Sequence, residues 1–424
     1  MTETEAAVAV ESTPEDISES TAGAAAPQEL PSFPFPTDPH VGVSPLYAER
    51  RASCPFGSVR LPSGDEAVLL VTYRDVAAAQ TEPRLSHDLT APGSPRITHG
   101  PSFFDDPDTL INKEGEAHLR IRRILASAFT PRRVERWKPT IRAVAGELLD
   151  AMQAAGPPAD IVADYCFELP VRIICKLLGV PERDSGRFRD WSNAFISGAK
   201  MGRDEQLRLL REFAEYAAGL LAERRAAPGG DLIDDMIAAR DGADRLTEPE
   251  LVNLTIGLIA AGNETTSNSL SRGLLGVLRD GGQLWRQLLD DPGLIPAAVD
   301  ELLRYNSLGD TGTLRLAVED VELPSGTVRA GQAVLLARNA AMRDELAYPD
   351  PDVIRFDREA PQQIVFGGGP HYCLGAHLAK AELYIGLGLL LERLPTLRLD
   401  ADPLDLRYTE GEVLSSLVSL PVAW

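Results

Sequence analysis

From Thr247 the chain carries one helical pattern that runs without a break to about Asp280. Thr247-Glu248-Pro249-Glu250 opens it as a capping box with proline in the first turn. Gly281-Gly282 marks its end. At 1.5 Å per residue such a helix is about 50 Å long. Leu254, Ile256, Leu258, Ile259, Ala260 and Ala261 make it apolar nearly all round, so it belongs at the centre of the fold. Its middle breaks its own rule. Gly262-Asn263-Glu264-Thr265-Thr266 are poor choices inside a buried helix. Broken rules inside a core element point to a functional site.

A second stretch gives that helix something to face. Phe366-Gly367-Gly368-Gly369-Pro370-His371-Tyr372-Cys373-Leu374-Gly375 puts a single cysteine in a loop of glycines. Glycines and proline at this density argue against a regular element, and glycine lets backbone approach a flat ligand with no Cβ in the way. An apolar helical pattern follows from Ala376 to Leu394 and stops at Pro395. Its N-terminus should aim free N–H groups and a positive end at the sulfur, a field that favours thiolate. Cys54, Cys166 and Cys175 read as small buried hydrophobes, the usual state of a lone cysteine. A glycine-rich loop before a helix also suits an anion, whereas zinc would want more ligands than His371 and His377 supply nearby. A thiolate facing a large planar group is one of the few protein ligands used for haem iron.

The rest reads as mostly helix with a few short strands. Residues 1–30 are rich in Ala, Glu, Ser, Thr and Pro and should form a disordered acidic tail. Ser58 to Thr72 alternates around Pro62-Ser63-Gly64, a hairpin signal, and a helix should follow from Tyr73. Residues 83–115 are irregular, with the pair Phe103-Phe104, and read as a pocket wall or lid. Helices are expected at 117–129, from Thr130-Pro131, and at about 158–177, 183–198, 204–225 and 294–305. Phe188, Trp191, Phe195 and Phe213 suit either a second pocket wall or helix packing. Short strands are expected at 313–317, 321–323, 327–329 and 333–336, and a closing hairpin near 404–408 and 417–422.

The cysteine loop fits F-G-x-G-x-H-x-C-x-G, fixing Phe366, Gly367, Gly369, His371, Cys373 and Gly375. Chance gives such a match at odds of roughly one in a million. The stretch resembles the haem-binding loop of the cytochrome P-450 family. Three further segments share the resemblance. Ala261-Gly262-Asn263-Glu264-Thr265-Thr266 is similar to the oxygen-activation segment of the family's long helix. By that likeness Ala261 and Gly262 leave room beside the iron, Thr265 takes the role of the family's threonine, and Glu264 that of the neighbouring acid. Asn263 departs from the histidine common there. Glu301-Leu302-Leu303-Arg304 is similar to the family's E-x-x-R, a structural brace that should lock onto Phe356-Asp357-Arg358. His118-Leu119-Arg120-Ile121-Arg122-Arg123 resembles its H-x-R-x-R-R helix. The resemblance implies that His118, Arg122, Arg315 and His371 meet the haem propionates. Met342 stands where relatives often carry asparagine.

The implied fold is mainly α with a small β portion, the cytochrome P-450 fold, as a single domain over 31–424. At 424 residues the chain exceeds the usual single-core size, yet it has no linker after residue 50. The implied activity is monooxygenation by a haem-thiolate enzyme with haem b, hydroxylating or epoxidising a small organic substrate, in the manner of actinobacterial enzymes that tailor secondary metabolites. The implied electron source is NAD(P)H through a ferredoxin reductase and a ferredoxin, docked on a basic patch for which Arg123, Arg132, Arg133 and Lys380 are candidates. Residues near 85–115, 185–200, 254–265, 307–313 and 413–417 should line the substrate pocket. An oxidase that couples without inserting oxygen, or a haem protein that only binds ligands, are the alternatives. A net charge of −21 disfavours nucleic acid and anionic membrane. Without an apolar span or a disulfide framework, the expectation is a cytoplasmic monomer.

Overall fold

Thr247 opens the central helix through a reciprocal pair of hydrogen bonds. The Glu250 N–H donates to Thr247 Oγ1 at 3.2 Å, and the Thr247 N–H donates to Glu250 Oε2 at 2.8 Å. The helix spans Glu248–Asp290, but its backbone leaves helical geometry at Arg279, Asp280, Gly281 and Gly282. Asp280, Gly281 and Gly282 take φ of 57°, 69° and 69°, values that cost glycine little. The expected break is therefore there, and helix resumes beyond it as a shorter segment.

The computed structural model describes residues 29–37, 42–98, 105–196, 201–241, 246–306, 308, 312–359, 361–409 and 414–424. The expected tail up to residue 28, Phe103-Phe104, and parts of the walls at 197–200, 307, 309–311 and 413 lie outside these residues. Pro31–Trp424 is one compact unit. The central helix buries Leu254, Ile259, Ala260, Leu270 and Leu274. Around it pack Glu168–Leu178, Phe188–Ile196, Arg203–Ala226 and Ala376–Arg393. Pro131–Ala155 covers the last of these from outside, capped by Thr130 Oγ1, which accepts from the Arg133 N–H.

The β portion is small. A five-stranded sheet has the order Phe56–Arg60, Glu66–Leu70, Ala333–Leu336, Thr313–Ala317, Leu85–Ser86. The first two strands form the expected hairpin, with Phe56 opposite Leu70. Only Glu66–Leu70 and Ala333–Leu336 run parallel. Leu85 pairs with Ala317 and Ser86 with Leu316, so the same register carried one residue further sets His87 beside Arg315.

Several expectations need correction. Cys54 is exposed, and the α-helix expected from about 158 begins at Glu168, after the strand Ala159–Asp160 and a wider helical turn over Val162–Cys166. Near the C-terminus, Tyr408 and Leu417 make one isolated bridge, and the strand is Pro421–Ala423, paired with Ala159–Asp160 and Arg398–Leu399. A two- or three-residue strand owes its existence to distant partners, not to local alternation. Of the two readings left open for the aromatic set, packing holds for three members, while Phe195 is half-buried against the core. Phe188, Trp191 and Phe213 are buried, and Trp191 stacks on Phe213 with ring centroids 5.1 Å apart.

Glu301 and Arg304 meet on one face of Ile295–Tyr305, as i and i+3 require. The pair is bidentate at 2.7 and 2.8 Å and buried. Arg304 also donates to the carbonyls of Met342 and Pro351, both at 2.9 Å. Glu301 receives the Arg355 N–H at 3.1 Å and Arg358 Nε at 3.1 and 3.2 Å. One carboxylate thus ties the helix to the segment that leads into the cysteine loop. Glu301→Ala would leave two buried guanidinium groups without their carboxylate, at a cost on the order of 3–5 kcal/mol. Denaturant unfolding of the variant should show that loss, and an unchanged midpoint would contradict the bracing role.

Candidate active site

The cysteine loop is built by backbone geometry. Gly367 and Gly369 have φ of +77° and +61°, where other residues are strained. A Cβ on Gly368 would also come within 3.2 Å of Gln80 and Thr81, in the helix Tyr73–Thr81 against which the loop lies. The Cys373 N–H donates to the Phe366 carbonyl at 2.8 Å and closes the loop. The helix Ala376–Arg393 begins directly after it.

Cys373 is accessible, although protein surrounds it closely enough for burial to raise its thiol above the ordinary value. Together these describe a thiol on an internal surface. Hydrogen bonds from the Gly375 and Ala376 N–H groups and the charges of Arg122 and Arg338 oppose the burial effect. The helix start does reach the sulfur, as expected, but desolvation outweighs it for the free thiol.

The central helix supplies the other wall. Ala261 is exposed in the middle of a helix whose neighbours Ile259 and Ala260 are buried. Thr265, one turn on, donates its hydroxyl to the Ala261 carbonyl at 2.9 Å. Gly262 turns elsewhere. A Cβ there would meet Ile174 at 3.1 Å, so its bareness serves close packing against Glu168–Leu178; of the expected pair Ala261 is exposed and Gly262 only partly so. Asn263 is fully buried with neither side-chain polar atom partnered. Glu264 is partly buried beside it.

The cationic side chains gather at one edge. His371 lies between two rings, stacked on His118 at 4.0 Å and on His87 at 3.5 Å between centroids. Arg122 donates to the Tyr372 carbonyl at 2.8 Å, next to Cys373. Arg315 is buried, with Nε unpartnered, and burial together with the charge of Arg338 lowers it to about 9. Burial lowers His118 to about 4 and His371 to about 3. Sequence reasoning missed His87 and Arg338. Neither stands in a motif, but His87 could have been found from the pairing of Leu85–Ser86 with the Arg315 strand.

The four candidates for a basic patch differ in how free their charges are. Arg123 is paired with Glu116, and Lys380 with Asp300 at 2.6 Å, so both charges are offset. Arg132 and Arg133 are exposed at the start of Pro131–Ala155. Lys380 and Asp300 line a cleft of about 410 Å³ beside Phe366 and Tyr372 of the loop.

A sequence model of the cytochrome P-450 family matches residues 287–413. The mycinamicin IV hydroxylase/epoxidase of Micromonospora griseorubida is 41% identical over 403 residues, 93% of this chain and 98% of that protein. The chain belongs to the cytochrome P-450 family. The nocardicin C N-oxygenase of Nocardia uniformis subsp. tsuyamanensis is 39% identical, over 93% of this chain and 98% of that one. The crystal structure of the LnmA cytochrome P-450 hydroxylase from the leinamycin biosynthetic pathway of Streptomyces atroolivaceus superposes with a TM-score of 0.85 at 39% identity, covering 93% of this chain and all of that one. The chain is accordingly a cytochrome P-450 monooxygenase that uses haem iron and O2, with redox partners and a small-molecule substrate.

The residues present fit a haem. Cys373, with its accessible thiol, immediately precedes a helix that packs on the central helix carrying the accessible Ala261. At the edge, Arg315 and His87 carry buried nitrogens that have no acceptor among the described residues. A porphyrin with two carboxylates answers both features, and it supplies the iron ligands that one cysteine cannot. Among the described residues no helix is long and apolar enough to cross a membrane.

The histidine edge sets a pH dependence. His87 is lowered to about 2 and His118 to about 4 from 6.5, by burial first. The unfolded chain therefore binds protons that the folded one refuses. Stability of the haem-free protein should be fully present above about pH 6.5 and fall as pH drops toward 4. Denaturant titration at about pH 7 and about pH 5 checks this, and equal midpoints would contradict it.

Proposed function

We propose that this cytochrome P-450 tailors a secondary metabolite by hydroxylation or epoxidation, with Cys373 as the thiolate that would hold the haem iron and Glu264 and Thr265 managing protons. Electrons come from NAD(P)H through a ferredoxin reductase and a ferredoxin. The relatives support the metabolic setting. One carries hydroxylase/epoxidase of mycinamicin IV as its name and another is the pentalenic acid synthase of Streptomyces avermitilis.

The observation that carries the reading is the hydroxyl of Thr265 on the Ala261 carbonyl, one turn away and at an accessible point of the central helix. When bound, haem iron activates O2, and an axial thiolate favours cleavage of the O–O bond. The protein's part is to place and protonate. With its proton committed to the Ala261 carbonyl, Thr265 Oγ1 keeps lone pairs that can accept from a water. Bonding back to the i−4 carbonyl also loosens the helix locally. Glu264 precedes it in the same turn and is the acid that can pass protons inward. His118, Arg122, Arg315 and His371 hold the haem carboxylates, and Glu301 with Arg304 keeps the loop below in place.

Thr265→Ala should spare haem binding and NAD(P)H oxidation while product formed per electron falls by about tenfold or more. With labelled O2, wild-type product should carry one labelled oxygen. Unchanged product yield per electron in the variant would remove Thr265 from the proton path, and unlabelled product would favour the coupling oxidase.

A further inference from the structure

His87 is placed by a two-residue strand and serves no bond that the fold requires of its ring. Its backbone N–H donates to Glu114 Oε1 at 2.6 Å, and its Nδ1 lies 3.8 Å from the same oxygen. Its Nε2 is buried and has no hydrogen-bond partner among the described residues, on a side chain only 9% exposed. Leaving such a nitrogen unpaired costs on the order of 1–3 kcal/mol, so a fold seldom keeps one without a use.

The surroundings say what kind of group would satisfy it. The His87 ring stacks on His371, whose other face meets His118. Arg315 is near enough for its charge to act on His87, and its own Nε is buried and unpartnered. Among the described residues Glu114 is the carboxylate that offsets Arg315, and it is 38% exposed and already engaged with the His87 backbone. Imidazole and guanidinium donors thus converge on one edge of the cysteine loop with too few acceptors between them. An anion with several oxygens is the complement.

We propose that His87 is a further haem-carboxylate ligand, donating from Nε2 to a propionate beside Arg315 and His371. The assignment rests on the haem reading above and adds to it a residue outside the family's motifs. Glu114 fixes the backbone of His87, and the stack on His371 fixes its ring, so the donor is held in place before haem arrives. A donor held ready loses little freedom on binding, which lengthens residence of the group it meets.

The test is the rate at which holoprotein gives up haem to excess apomyoglobin. His87→Phe keeps a ring for the stack and removes the donor. It should speed release by about tenfold or more, the ratio of a lost hydrogen bond to a charged group. His87→Gln, which restores a donor, should recover most of that rate. The haem-free Phe variant should be at least as stable to denaturant as haem-free wild type, because the unpaired nitrogen is gone. Opposite signs in haem-free stability and haem retention are what a ligand predicts. Wild-type release rates in His87→Phe would overturn the donor role and leave only stacking. Equal loss of haem-free stability in both variants would make His87 structural. If wild type itself bound no haem, the underlying cofactor reading would fail instead, which is a separate result.

Discussion

The hydrogen bond from the Cys373 N–H to the Phe366 carbonyl, 2.8 Å long, closes the loop on which the site is built. It forms because Gly367 and Gly369 occupy left-handed backbone that a side chain would strain, and because Gly368 lies against the helix holding Gln80 and Thr81. The loop is then pinned from two sides. Gln80 Nε2 donates to the Ile364 carbonyl at 3.1 Å, and the Glu301 carboxylate collects Arg304, Arg358 and the Arg355 N–H from the segment upstream. A thiol at a fixed place opposite a fixed helix is the outcome. Position is what a metal ligand needs, since the chemistry itself belongs to the cofactor.

Electrostatics complete the arrangement. Burial makes the free thiol harder to ionise, while two backbone N–H groups and two arginines pull the other way. At the neighbouring edge, burial holds three imidazoles neutral and lowers Arg315. Gathering such groups costs desolvation, and among the described residues His87 Nε2 and Arg315 Nε meet that cost without a hydrogen-bond partner. Their common orientation makes sense as a receptor for negative charge.

Much of this was legible in the sequence, for identifiable reasons. Thr247 and Glu250 cap each other through contacts three residues apart, and Gly281-Gly282 breaks the helix by its own dihedrals; both are local causes. The cysteine loop is legible because left-handed glycines and a ligand at fixed spacing leave a pattern in one stretch. What was hidden depends on distant chain. Pro421–Ala423 is a strand only because Ala159 and Arg398 lie beside it. His87 meets Arg315 only through sheet register. Gly262 was read as room for a ligand, whereas its neighbour is Ile174 from another helix. The aromatic residues at 188–213 have no local feature that separates a pocket wall from a core, and burial places Phe188, Trp191 and Phe213 in the core.

The central claim is that Cys373 is the protein's ligand to haem iron. The absorption spectrum of the purified protein, reduced and saturated with carbon monoxide, tests it most directly. The account predicts the red-shifted Soret band of a thiolate-ligated haem in wild type and its loss in Cys373→Ser. A wild-type Soret band without that shift, or a shifted band that survives the serine substitution, would contradict it.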